Sequence, residues 1–537
     1  MTYRWPTRLD VDAFATINRR RLLQGLGTSA LVTATGGLFS GRVWANPVFP
    51  ANPFALGVAS GDPAPDGFVI WTKIAPRPLE HGSGMPKKTV EVDWMVGADP
   101  HLRQVVQQGK ALARPELGHA VHVEVGDLEP ARNYFYRFTI GDERSRLGRA
   151  RTLPAPGSPI GQIRFGVAGC QRYEDGFFTA YRHLAQERFD FVFHYGDYIY
   201  EHRILRPGDR NLRVARVMPG EPDEIHTLDD YRHRYAVYKS DVDLQLAHAS
   251  APFLMSYDDH EVDNNWASDI SEENVPRELF LLRRAAAFQA WYEHMPVRRA
   301  LIPRGPDMLM YRRFAIGDLL IMNVLDTRHY RSDQACGDRV KPDCKEALDA
   351  ARTMLGERQE RWLTDSFKGA SGRWTVLGQQ VMMMRIDYDA DPNVVGLNMD
   401  AWDGAPVARQ RLLTAAEEAK LANLVVLTGD VHSHWAGEFK RSFGDENSQS
   451  VGVEFTGTSI ASGGDGFDSN DWSTSVLAQN PHVKLFNSQR GYTRHVVTPE
   501  RWQADFRVLD KVSTRGGKVS TRSSLVAESG KSVLMPL

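Results

Sequence analysis

Phe191-Val-Phe-His-Tyr-Gly-Asp-Tyr-Ile-Tyr-Glu201 decides how this chain folds. An apolar run, Phe191 to Phe193, leads to a glycine and then to Asp197, Tyr200 and Glu201. It follows a stretch of helical spacing from Phe177 to Phe189. Short apolar runs in that setting read as buried strands of an α/β sheet. Such sheets carry their chemistry just past the carboxyl ends of the strands. The pattern recurs downstream. Phe253 to Ser256 runs into Tyr257-Asp-Asp-His-Glu-Val-Asp-Asn-Asn-Trp266, and Leu319 to Leu325 into Asp326-Thr-Arg-His-Tyr-Arg331. Trp374 to Leu377 runs into Gly378-Gln-Gln380, and Leu424 to Leu427 into Thr428-Gly-Asp-Val-His-Ser-His-Trp435. Five strands ending in polar residues read as one site assembled at one edge of a sheet.

The chain has 537 residues, enough for two or three domains. With 42% hydrophobic and 25% charged residues its composition is that of a soluble globular protein. A formal net charge of −2 gives no global pull toward nucleic acid or membrane, so no stable nucleic-acid complex is expected. There are three cysteines. Cys336 and Cys344 lie close together, and a disulfide between them suits an oxidising compartment. Cys170 is then the odd thiol, either a ligand or nucleophile or a small buried hydrophobe.

Asn18-Arg-Arg-Arg-Leu-Leu-Gln24, a weakly apolar segment to Phe39 and the small-x-small exit Val43-Trp-Ala45 describe a signal peptide. Arg19 and Arg20 fit the twin-arginine type, which implies the twin-arginine export machinery as a partner. Cleavage is expected near Ala45, with the mature chain periplasmic or secreted and without a membrane span.

From Asn46 to about Leu153 the sequence reads as all-β. Strands are expected at Gly67–Lys73, Val90–Val96, His119–Val125 and Asn133–Ile140, separated by turn clusters at Ser60–Gly67 and Asp127–Ala131. This fits a small sandwich of immunoglobulin or fibronectin type with no chemistry of its own. Pro154 to Pro159 has linker composition. From residue 160 to 537, strand and helix patterns alternate as in an α/β catalytic domain. Helices are expected at Thr227–Ala249, Leu281–Met295, Met354–Lys368 and Ala408–Lys420. Asp387 to Pro406 is a long irregular insertion of the kind that borders active sites. Gly457 to Gly466 reads as a flexible loop in preference to a phosphate cradle. Tyr492–Val497, Ala504–Val508 and Ser532–Met535 read as closing strands. The Lys/Arg/Ser-rich segment around Lys511 to Arg522 shows no helix that would cover a pocket.

Asp197, Asp259, Asp430 and His432 are oxygen and imidazole donors placed at strand ends, a set that suits a pair of divalent or trivalent ions. Singly, each has a plain alternative, since aspartate after a strand caps turns and buried histidine satisfies hydrogen bonds. Gly169-Cys-Gln171, Gly196-Asp-Tyr-Ile-Tyr-Glu201, Asp258 to Trp266, Leu325-Asp-Thr-Arg328 and Gly429-Asp-Val-His-Ser-His434 resemble the PhoD-type alkaline phosphatases of the calcineurin-like metallophosphoesterase superfamily. The resemblance implies an α/β fold, a two-sheet sandwich flanked by helices, preceded by the small all-β domain. It implies a phosphate-ester hydrolase, acting on mono- and diesters, with Fe³⁺ and Ca²⁺ at the site and Zn²⁺ or Mn²⁺ as the alternatives.

Carried over residue by residue, the resemblance makes Cys170 and Tyr200 iron ligands and Asp197 the bridging carboxylate. Asp259, Asp430 and His432 become further ligands. His260 contacts phosphate or protonates the leaving oxygen. Asn264, Asn265, Asp326 and Gln380 are weaker ligand candidates, and His434 is a partner that orients a ligand. Arg328 either pairs bidentately with phosphate or forms a structural ion pair. Tyr198 and Trp266 are expected in the core. The superfamily's opening Asp-x-His is absent, with Gly169-Cys170 in its place. Competing readings are a phospholipase D-like phosphodiesterase and a non-catalytic exported binding protein. A serine-nucleophile phosphatase finds no serine in a nucleophile setting at these strand ends.

Overall fold

The computed structural model describes residues 47–203, 215–220, 222–369, 372–421, 423–443, 445 and 447–537. The expected leader and its cleavage point near Ala45 lie outside them. Ile163–Ala168, Phe191–His194 and Pro252–Met255 form parallel neighbours with Phe191 opposite Phe165 and Val192 opposite Phe253. A second parallel set, Leu320–Val324, Trp374–Gly378 and Leu424–Thr428, pairs Leu320 with Trp374 and Thr375 with Leu424. The two sets belong to different sheets, of ten and seven strands. The strand ends therefore converge from two sheets and not from one edge, because each set saturates its hydrogen bonds within its own sheet.

Side-chain alternation explains why these strands read as unbroken apolar runs. Phe191 and Phe193 point into a core shared between the sheets with Met322, Val376, Val425 and Leu427, while Val192 points outward. Val192 is covered by the helices Thr179–Gln186, Val242–Ser250 and Arg277–His294, whose Leu184, Leu244 and Trp291 share its cluster. On the other sheet Leu377 and Val426 face Leu363 of Gly356–Phe367 and Leu412 of Pro406–Glu418. The result is an α/β sandwich, two sheets between helical layers. Among the described residues no helix is long and apolar enough to cross a membrane.

The stretch expected as one helix over Thr227–Ala249 is two, Leu228–Lys239 and Val242–Ser250. Asp241 divides them, its side chain accepting from Asp243 N and Leu244 N as a new N-cap. The turn expected at Ser60–Gly67 is part of a strand, Val58–Ala64, which pairs in parallel with Pro252–Met255. Its ladder is irregular between Gly61 and Ala64, where Asp62 is left-handed (φ 40°) and is held by Arg312 Nη2 at 2.8 Å. That irregularity is what Gly-Asp-Pro encodes.

Gly67–Lys73 and Ala120–Val125 follow Val58–Ala64 in the ten-stranded sheet. A separate sheet built on Val90–Gly97 and Asn133–Ile140 packs across this extension, with Val92, Tyr136 and Phe138 sharing a core with Phe68, Ile70 and Val121. The sandwich is present, and one of its layers continues the main sheet. At the other end the Lys/Arg/Ser-rich segment turns and then leads into a ten-residue strand, Val519–Glu528, paired with Arg501–Leu509.

Candidate metal centre

Each side chain of the centre stands just past a strand. Ile163–Ala168 leads to Cys170, Phe191–His194 to Asp197 and Tyr200, and Pro252–Met255 to Asp258, Asp259 and His260. Leu320–Val324 leads to Arg328, and Leu424–Thr428 to Asp430 and His432. The backbone is left-handed at Cys170 (φ 52°), Asp197 (54°), Asn265 (48°), Asp430 (69°) and His432 (51°). Such conformations cost a non-glycine residue on the order of 1 kcal/mol or more and persist only where the surroundings enforce them. Tyr195 crowds the glycines that precede two of these positions. A Cβ on Gly169 or on Gly429 would lie 2.1 Å from a carbon of its buried ring. The glycines before Cys170 and Asp430 thus let strand ends from both sheets close on one aromatic side chain.

At the first pole, ligand atoms of Cys170, Asp197 and His432 lie within 4.8 Å of one another. Tyr200 Oη donates to Asp197 Oδ2 at 2.8 Å, lies 3.0 Å from His432 Nε2 and accepts from Ser462 Oγ at 2.7 Å. Burial pushes the Cys170 thiol and the Tyr200 phenol well above their usual ranges, and the charge of Asp197 adds to both. The carboxyl of Asp197 is itself pushed up to about 7, chiefly by burial. Without a cation these groups cannot all be ionised together.

At the second pole, ligand atoms of Asp258, Asp259 and Asp430 lie within 4.8 Å of one another. Arg328 is buried among them: Nη2 is 2.8 Å from Asp430 and 3.4 Å from Asp259, Nη1 is 2.8 Å from Asp400, and Nε donates to Asp258. Asp259 is held below the usual carboxylate range: burial raises it, but Arg328 and His260 outweigh burial. Asp197 Oδ1 and Asp258 Oδ2 are buried without a hydrogen-bond partner among the described residues, and Asp259 Oδ1 meets only the ion-pair contact to Arg328. Orphaned anionic oxygens cost several kcal/mol unless a cation completes them, on the order of 1–3 kcal/mol each at the least. The donor set fits metal ions at both poles.

His260 lines the rim. Its Nδ1 is 2.7 Å from Glu201 Oε2, and its ring lies 4.1 Å from that of Tyr200. Burial alone would lower its pKa, yet Glu201, Asp259 and Asp197 outweigh burial and raise it well above the usual value. The surrounding carboxylates thus favour a protonated imidazole here, which suits charge developing on a leaving oxygen.

A family model described as PhoD-like phosphatase matches residues 165–506, and one for the N-terminal domain of PhoD-like phosphatases matches residues 41–154. The chain belongs to the PhoD-like phosphatase family. Alkaline phosphatase D of Bacillus subtilis (strain 168) is 45% identical over 530 residues, which cover 97% of this chain and 90% of that protein. A solved structure titled "Structure of PhoD" superposes with a TM-score of 0.88 at 46% identity, covering 91% of this chain and 93% of that one.

Within this member of the family, the structure gathers Cys170, Asp197, Tyr200, Asp259, His260, Asp430 and His432. Other residues singled out in sequence have partners elsewhere. Gln380 is spent on Thr327, Ser256 and Leu325 O, so both ends of its amide bridge strand ends. Asp326 accepts from Arg328 N, His329 N and Tyr257 Oη, capping its turn. Asn264 Nδ2 donates to Glu272 and Asn265 Nδ2 to Asp338, although Asn265 N donates to Asp259 Oδ2 at 2.8 Å. His434 Nδ1 accepts from Thr458 N, and its ring packs on Phe506. Arg328 stands against Asp258, Asp259, Asp400 and Asp430. Trp266 and Tyr198 are buried, Cys170 is a buried free thiol, and Cys336 and Cys344 are joined in a disulfide.

Sequence reasoning gave no role to Asp258, Glu261, Asp400 or Ser462. Glu261 accepts from Asp197 N, Tyr198 N and Asp258 N, tying two motif loops together. Asp400 comes from the long insertion, and Ser462 from the loop read as flexible. The only sequence signal for Asp258 and Glu261 was their place in Asp258-Asp-His-Glu261.

Proposed function

We propose that this protein hydrolyses phosphate mono- and diesters by metal-activated water, in which Cys170, Asp197, Tyr200 and His432 would hold Fe³⁺ and Asp258, Asp259 and Asp430 would hold Ca²⁺. The convergence of these side chains from two sheets, with carboxylate oxygens left unpaired, supports the reading most directly. Thiolate and phenolate donors suit a ferric ion, and an all-carboxylate pole suits a hard divalent ion. Bound cations supply Lewis acidity toward the phosphoryl oxygens and an acidified water near neutral pH. His260, oriented by Glu201, donates a proton to the departing oxygen. The Asn18–Ala45 segment supports export by the twin-arginine machinery with cleavage near Ala45. In this reading residues 46–153 are an accessory β domain and residues 160–537 carry the chemistry.

The test is metal content by mass spectrometry on untagged mature protein, with hydrolysis of p-nitrophenyl phosphate and bis-p-nitrophenyl phosphate before and after chelation. Bound iron and calcium, with turnover lost to a calcium chelator and restored by the ion, is the expected result. A protein that binds neither ion and stays inert when both are supplied overturns the reading.

A further inference from the structure

A phosphate ester approaching this centre meets carboxylates on nearly every side, and the arginine best placed by sequence to receive it is not free. Arg328 spends Nε, Nη1 and Nη2 on Asp258, Asp400 and Asp430, and its side chain is fully buried. Arg490, also buried, gives its donors to Gly464 O, His432 O, Ser459 Oγ and Gly463 O. One further arginine stands at the first pole. Arg172 follows Cys170 by two residues and is only partly buried.

Its placement is fixed from both ends. The backbone N of Arg172 donates to Ser462 Oγ at 2.8 Å, and the same hydroxyl donates to Tyr200 Oη at 2.7 Å. The guanidinium carbon lies 5.0 Å from the centre of the Tyr200 ring, in cation–π range. His260 packs on that ring as well, at 4.1 Å. The Arg172 guanidinium and the His260 imidazole thus both pack on the ring of the phenol whose oxygen touches Asp197 and His432. Nη2 donates to His202 O at 3.2 Å. Nε is buried and has no acceptor among the described residues. Asp175 and Glu174 act on the guanidinium through space without a hydrogen bond to it, and Asp175 Oδ2 already accepts from Gly463 N. The guanidinium is thus seated over the Tyr200 ring and keeps one donor, Nε, without an acceptor among the described residues.

We propose that Arg172 is a catalytic residue of this centre, donating from its guanidinium to non-bridging oxygens of the phosphoryl group and favouring the dianionic head of a monoester over a diester. This rests on the phosphatase reading above. A monoester presents one more anionic oxygen than a diester, and a planar guanidinium meets two such oxygens at once. In a diester the second ester group occupies that position and offers no comparable acceptor.

The experiment compares metal-loaded wild type, Arg172→Gln and Arg172→Lys on p-nitrophenyl phosphate, bis-p-nitrophenyl phosphate and inorganic phosphate as inhibitor, with iron and calcium measured in each preparation. For Arg172→Gln, monoester kcat/KM is expected to fall about 100-fold and phosphate inhibition to weaken similarly, while the diester loses no more than about 3-fold. Arg172→Lys should recover roughly 10-fold of the monoester loss, since it restores the charge without the fork. Metal content stays at the wild-type level. Equal losses on both esters, or loss of iron from Arg172→Gln, would show that the side chain only props Tyr200 and would overturn the proposal. Wild-type protein that is fully metal-loaded yet inert on both esters sinks the phosphatase reading itself, a failure visible before any variant is made.

Discussion

The two poles of the centre solve the problem of buried negative charge in opposite ways. Asp258, Asp259, Asp430 and Asp400 surround Arg328, so the second pole carries its own counterion. At the first pole Arg172 stacks on the Tyr200 ring and Arg490 donates to His432 O, but among the described residues no guanidinium is hydrogen-bonded to the side chains of Cys170, Asp197, Tyr200 or His432, and burial keeps the thiol, the phenol and Asp197 from ionising easily. The second pole thus carries neutralising charge within hydrogen-bond reach of its carboxylates, and the first does not.

Asp197→Asn carries the largest expected effect, because Asp197 serves the first pole and lies beside Asp259. Turnover is expected to fall by at least about 1,000-fold, with iron and calcium both reduced, read by ester hydrolysis and elemental analysis. Arg328→Leu removes the internal counterion. Metal-free protein should lose about 3–5 kcal/mol in denaturant unfolding, and millimolar calcium should restore part of it. Destabilisation that calcium leaves untouched would mean that the guanidinium and the cation do not share a role. Cys170→Ser tests the first pole alone, lowering iron content and any visible absorption with calcium retained and activity down by about 10–100-fold.

Glu454 sharpens the contrast from outside both poles. Its buried carboxylate accepts from Met383 N, Met384 N, Thr428 Oγ1 and Thr456 Oγ1, and burial pushes its pKa from 4.5 up to about 7. The folded chain therefore keeps this proton where the unfolded chain has lost it. Stability from this group is complete below pH 4.5 and drains away as pH rises through about 7, by about 1–3 kcal/mol. Glu454→Gln should flatten that slope in pH-dependent unfolding while activity changes less than about 3-fold.

Much of this was legible in the sequence because strands buried on both faces advertise themselves. Phe191, Val192 and Phe193 are apolar because one face meets the other sheet and the other face meets helices. Periodicity cannot say which sheet a strand joins, so five converging ends looked like one edge. Val58–Ala64 was hidden by its own bulge, since Ser-Gly-Asp-Pro is also turn chemistry. Val519–Glu528 was hidden by polar residues that suit a strand near a sheet edge. Loops carry no period at all. Ser462 and Asp400 reach the centre through tertiary contacts that no local pattern announces, and Arg328 was ambiguous until its four carboxylates could be seen together.

The ten-stranded sheet runs without a break through both family-matched segments, as Val58–Ala64 lies directly against Pro252–Met255. A boundary drawn near residue 160 by composition is thus no seam in the hydrogen-bond ladder. Excising the first segment would bare the amide row of Pro252–Met255, the very strand that presents Asp258, Asp259 and His260, and leave an open edge ready to pair with any neighbouring chain. What looks like an appendage is the selvedge of the catalytic sheet.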